Sequence, residues 1–193
     1  AEVPAFMRDL SERDGLSART LEFLILTAAR SGEARGARWD ELDLAKKVWT
    51  IPGERMKRGV EHRVPLSPEA VAVLKWVRGL DEELVFPSNQ RDRKTGAVRP
   101  QSNMVFKGLM LRMQREGFTV HGFRSSFRDW CSENAHADRE LAELALAHTV
   151  GNAVERAYAR SDLFERRQAL MVQWARFCAR KEGVVVKLSS KDW

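Results

Sequence analysis

Along most of this chain apolar residues recur at the spacing of helical turns, and only a few short stretches carry strand-like runs. That pattern confines the fold to helices packed around a small sheet. Leu21, Leu24, Ile25 and Ala28 fall on one face; Ser17 can cap their helix and Gly32 can end it, which sets Arg30 at its C-terminal edge. Residues 47–52 and 62–66 flank a polar, Gly-containing segment and predict an antiparallel hairpin with Lys57 on its turn. Ser67, Pro68 and Glu69 open a helix through Val71, Leu74 and Val77 that Gly79 closes. Residues 103–116 repeat Phe106, Leu109, Met110 and Met113 before Gly117, and a helix after Thr119 lines up Phe123, Phe127 and Trp130 as core, not as a base-stacking platform. Asp138 starts a helix with Leu141 and Leu144, and Asn152 starts a short one with Val154 and Tyr158. Asp162, Leu163, Phe164 and Glu165 have the pattern of a capping box ahead of a last helix that buries Leu170, Trp174 and Phe177. The expected class is mainly α with a small antiparallel β-sheet (α+β).

The remaining segments read as connections. Pro4 disfavours helix at Val3, so residues 1–4 are expected to be extended, at the start of a linker-proximal lead-in over 1–16, and the missing initiator Met predicts an excised fragment. Val85, Phe86 and Pro87 can add an edge strand; the polar, basic residues 89–99, with Gly96, predict an exposed loop. Residues 182–193 form a tail whose strand-like run, 184–188, either completes the domain's own sheet or joins a neighbouring protomer. The length of 193 residues fits one domain spanning 1–193.

A formal charge of +6 favours a polyanionic partner such as nucleic acid, because each neutralised phosphate releases a counterion. No run approaches the roughly 20 apolar residues of a membrane span, so no membrane partner is expected. Cys131 and Cys178 have neither disulfide-like nor metal-ligand spacing, which predicts reduced core thiols and a cytoplasmic protein. The spacing of the histidines offers no local zinc-ligand pair, so no metal and no cofactor is expected.

Cutting a phosphodiester without a metal needs a nucleophile, cationic donors for the non-bridging oxygens and an acid for the leaving oxygen. Tyr158 is the chain's one tyrosine; taken alone, it reads more readily as a buried ring beside Val154 than as a nucleophile. Arg30 and Arg124 are candidates for an anion clamp, since a guanidinium presents paired donors and keeps its charge, though singly each reads as a surface arginine. His121 lies three residues before Arg124, so both side chains can point into one site; the spacing recurs in His136 and Arg139, where it carries no such meaning.

The combination is specific. Arg30-Ser31-Gly32-Glu33, Lys57 in a turn, His121-Gly122-Phe123-Arg124, Leu146-Ala147-His148 and Tyr158 occur in an order and spacing that resemble the tyrosine recombinases of the phage-integrase type. The connecting text is similar too: residues 37–44, Trp49-Thr50-Ile51-Pro52, residues 63–67 and residues 152–158. The chain resembles the catalytic domain of that family from about Leu21 to about Trp174, most of all in integrases of satellite prophages and genomic islands. Ser31 stands where such proteins often have Pro, and Ala147 where many have Gly; neither removes a functional group.

The resemblance implies a site-specific recombinase whose catalytic residues are Arg30, Lys57, His121, Arg124, His148 and Tyr158. Tyr158 would form a 3′-phosphotyrosyl link; Arg30 and Arg124 would neutralise the transition state, His148 donate to a phosphate oxygen, Lys57 protonate the 5′ oxygen, and His121 take the phenolic proton. Glu33 would orient Arg30 or cap its helix, and His62 would meet DNA backbone. The implied partners are double-stranded attachment-site DNA, a homotetramer of the full-length protein, a host DNA-bending protein and an excisionase, at the nucleoid of a bacterial host. N-terminal core-binding and arm-binding domains would precede this chain. Two alternatives remain: a type IB topoisomerase that nicks and reseals, and a basic domain that only binds DNA.

Overall fold

The computed structural model describes residues 2–148 and 162–180. Besides two 3-10 turns, Trp39–Glu41 and Gly53–Arg55, thirteen α-helices and strands occur there: α1 (Val3–Ser11), α2 (Leu16–Thr27), α3 (Ser31–Arg35), β1 (Leu42–Asp43), β2 (Val48–Ile51), β3 (His62–Pro65), α4 (Pro68–Trp76), β4 (Pro87–Arg91), β5 (Val98–Pro100), α5 (Val105–Arg112), α6 (Val120–Glu133), α7 (Arg139–Ala145) and α8 (Phe164–Cys178). The α+β class is as expected. β2 and β3 pair antiparallel with Ile51 opposite His62, and β1 adds a third strand, Leu42 opposite Trp49, that the sequence reading lacked. Tyr158, the helix read from Asn152 and the tail at 182–193 lie outside the described residues.

Helices gather around α2, whose Leu21, Phe23 and Leu24 are fully buried. The indole of Trp174 on α8 donates to the Ile25 carbonyl at 2.8 Å, and Trp174 meets Phe127 of α6 edge-on, with centroids 5.3 Å apart. Phe127 and Trp130 are core, as their helical spacing predicted. Both cysteines are free and buried; burial pushes the Cys131 thiol up to about 12 and the Cys178 thiol up as well, so neither is nucleophilic near neutrality. Among the described residues no helix is long and apolar enough to cross a membrane.

Several expectations are corrected. The lead-in is not extended: α1 begins at Val3 with Pro4 in its first turn, where a missing N–H costs nothing, and Phe6 packs on Phe118 and Phe123 with centroids 4.8 and 4.7 Å away. Gly15, not Ser17, starts α2, through its carbonyl to the Ala18 and Arg19 N–H groups. α2 also stops early, at Ala28 in the left-handed region (φ 50°), and Gly32 lies inside α3. Residues 89–99 are largely exposed, as expected, but only 92–97 are a loop, with β4 and β5 pairing on either side of it, while Val85 and Phe86 are core and bind the body through the Val85 N–H to the Ala37 carbonyl at 2.9 Å. Ahead of α8 the capping-box reading fails: Leu163 is the N-cap at φ 52°, and Asp162 accepts from the Phe164 N–H at 3.2 Å.

Candidate functional site

The early end of α2 builds the site. With the chain reversed at Ala28, Arg30 becomes the N-cap of α3 instead of the last turn of α2. Glu33 holds it there twice: one carboxylate oxygen accepts the Arg30 N–H at 2.8 Å and the other accepts Arg30 Nη1 at 2.9 Å. Glu33 is buried and does both things expected of it, orienting the Arg30 side chain and capping the start of α3.

Arg124 comes from α6, which Thr119 starts by accepting the Gly122 N–H at 2.9 Å. Its guanidinium is buried and bridges two chain reversals, donating to the Ala28 carbonyl after α2 and, at 2.8 Å, to the Leu146 carbonyl after α7. Burial, with nearby Arg30 adding to it and Glu33 opposing, pushes the Arg124 guanidinium down to about 10, so it keeps its charge at neutral pH. Two cations thus lie close together at one place, with a single buried carboxylate between their claims. A dianionic or monoanionic oxygen cluster fits such a place.

His148 completes this cluster. Its Nε2 lies 3.4 Å from Arg124 Nη2, and its Nδ1 faces Glu143 Oε2 at 2.6 Å. A carboxylate opposite Nδ1 assigns the proton there and leaves Nε2 for the site. Glu143 is further held by Arg128 Nε at 2.8 Å; burial works to raise its pKa, but the bonds from His148 and Arg128 win and hold it below the usual carboxylate range. Glu143 and Arg128 were not read from the sequence, and a carboxylate on the helix preceding the histidine was the available signal.

Lys57 occupies the β2–β3 turn, exposed, as expected. Arg55 ties that turn to the site. It donates to the Glu33 carbonyl at 2.7 Å and forms an ion pair with Glu41, whose Oε2 also accepts the Trp49 indole at 2.9 Å. Two glycines make room: a Cβ on Gly36 would meet Arg55 Nη2 at 2.9 Å, and one on Gly53 would meet the Gly59 carbonyl oxygen at 2.6 Å. His121 is exposed on the first turn of α6, and its imidazole enters no hydrogen bond or ion pair among the described residues. His62 turns inward instead of outward to solvent: burial first, then Arg167 and Arg30, push it down to about 4 against Glu33 and the Ala145 carbonyl. His136 is exposed. Arg30, Arg124 and His148 are therefore brought together, Lys57 is tethered nearby through Arg55, and Tyr158 lies outside the described residues.

Residues 1–164 match the profile of the phage integrase family. This chain belongs to the phage integrase family. Among its members, prophage integrase IntA of Escherichia coli (strain K12) is 37% identical over 154 residues, which cover 78% of this chain and 36% of that protein. The integrase of Enterobacteria phage P4 is 30% identical over 193 residues, 90% of this chain and 43% of that one. The family member here spans less than half the length of these curated relatives. The integrase from mycobacterium phage Brujita has the same fold, with a TM-score of 0.66 at 17% identity over 93% of this chain and 59% of that one.

Proposed function

We propose that this chain is the catalytic domain of a site-specific DNA recombinase that cuts and rejoins strands through Tyr158. The observation that supports this reading is the buried, still charged Arg124 beside Arg30 and His148. Burying a guanidinium is costly, and placing a second cation beside it costs more; an anionic ligand relieves both. A backbone phosphate of double-stranded attachment-site DNA is such a ligand.

In this reading the Tyr158 phenolic oxygen attacks the phosphorus in line, a 3′ phosphotyrosyl bond forms and the bond to the 5′ oxygen breaks. Arg30 and Arg124 neutralise the pentacoordinate phosphorus, and His148, its Nδ1–H held by Glu143, acts in the doubly protonated form and donates from Nε2 to a non-bridging oxygen. The phenolic proton passes to His121, and Lys57 gives a proton to the departing 5′ oxygen. Phosphoester energy is kept in the protein–DNA bond, so no ATP is consumed and rejoining is the same path reversed. The longer relatives leave room for core-binding and arm-binding domains before this one, and for a homotetramer on paired sites with a host DNA-bending protein and an excisionase, at the bacterial nucleoid.

A duplex bearing the attachment sequence, nicked a few bases from the cut, releases a short strand on cleavage and traps the adduct as a shifted band on a denaturing gel. Tyr158→Phe is expected to abolish the band, and Arg30→Ala or Arg124→Ala to slow its formation at least about a hundredfold. A band that persists in Tyr158→Phe overturns the choice of nucleophile.

A further inference from the structure

Strand cutting leaves the β4–β5 hairpin unused, although residues 89–99 hold Arg91, Arg93, Lys94 and Arg99 against one carboxylate, half of the formal excess of +6. All four cations are exposed, and among the described residues none forms an ion pair. Apolar burial does not explain the hairpin: Asn89, Gln90 and Arg91 on β4 and Arg99 and Pro100 on β5 face solvent. A two-stranded hairpin without a core face is marginal in water, so this one owes its shape to its turn. There the single carboxylate is consumed internally, Asp92 accepting the Lys94 N–H at 2.9 Å, the Thr95 N–H at 3.0 Å and the Thr95 hydroxyl at 3.2 Å, with Gly96 at φ +70° closing the reversal. Arg91 Nη1 donates back to the Gly96 carbonyl at 3.2 Å, so the result is a shaped finger whose negative charge points into its own backbone and whose Arg93, Lys94 and Arg99 are exposed with no hydrogen-bonded or ion-paired side-chain partner among the described residues.

Its base adjoins the clamp. Arg35, the last residue of α3, donates to the Gln101 carbonyl directly after β5 and, at 3.2 Å, to Ser31. Arg30 caps the other end of this five-residue helix, so the finger springs from about one and a half helical turns away. The five residues of β4 then reach about 17 Å, or about five phosphate steps along one strand. Arginine, lysine, asparagine and glutamine on a projecting ribbon are side chains that bond to phosphate oxygens of a duplex.

We propose that the β4–β5 hairpin grips duplex phosphates flanking the cut, as a second DNA contact separate from the clamp on the scissile phosphate; this rests on the DNA-cutting role proposed above. The test measures binding of the intact chain to a 5′-labelled mixed-sequence duplex of about two helical turns across a salt series. Arg93→Gln, Lys94→Gln and Arg99→Gln together are expected to lower the slope of log K against log salt by about 2–3, with no change in melting temperature. A control triple of equal charge at exposed, unpaired positions, Arg8→Gln, Arg13→Gln and Lys75→Gln, is expected to change the slope by less than about 1. Equal slopes in parent and hairpin triple, or equal losses in both triples, overturn the proposal while leaving the cutting role standing. A parent chain that binds no duplex at all defeats both.

Discussion

Ala147 holds the left-handed conformation at φ 52°, in the short turn that delivers the Leu146 carbonyl to Arg124 and His148 to the clamp. A side chain bearing Cβ pays about 1 kcal/mol there that glycine does not. Ala147→Gly is therefore expected to raise the melting temperature by about 2–4 °C, seen by circular dichroism, with adduct formation unchanged. A fall in melting temperature would show that the Ala147 methyl contributes packing that outweighs its strain. The same residue was visible in the sequence as a departure from the family's glycine, but only the dihedral angle says what the departure costs.

At the scale of elements, the β2–β3 turn depends on Arg55. Removing it leaves the Glu41 carboxylate buried with only the Trp49 indole and the Arg38 N–H as donors, and cuts the link from the turn to the Glu33 carbonyl. Arg55→Ala is expected to destabilise the fold by about 2–4 kcal/mol in urea and to slow adduct formation at least about tenfold. Arg55→Lys keeps the charge but not the fork, so it should recover stability better than rate. Equal rates in parent and Arg55→Ala would detach Lys57 from this anchor. The β2–β3 hairpin itself was legible because Val48, Trp49 and Ile51 must be buried and a hydrophobic run marks them. β4–β5 buries almost nothing and so wrote no such pattern, and the five residues of α3 are too few to show a helical period.

For the whole molecule, His62 links stability to pH. Its folded-state pKa of about 4 lies below the ordinary 6.5, so between those values the unfolded chain binds the proton and the folded one does not. Stability from this group is fully present above about pH 6.5 and is lost as pH falls toward 4, up to about 3 kcal/mol in all. Carboxylates titrate in the same window, so the measurement is a difference: the rise in unfolding free energy from pH 4.5 to 7 should be smaller in His62→Gln than in the parent. Identical pH profiles would place His62 in solvent. The cause is collective, since β3 brings the imidazole, α8 brings Arg167, and α3 brings Arg30 and Glu33.

Local chemistry along the chain determined the helices with apolar faces, the central hairpin with Lys57 on its turn, the core role of Phe127 and Trp130, and the order of residues that marks the family. These depend on periods and neighbours a few positions apart, which a sequence displays directly. Tertiary structure alone decided that Arg30 caps a new helix, that Arg124 is buried between the carbonyls of Ala28 and Leu146, and that Glu143 and Arg55 hold His148 and the Lys57 turn in place. Those partners are mostly far apart in the chain, and a carbonyl left open at a helix end has no signature in residue type. Only folding brings such an acceptor to the guanidinium that needs it.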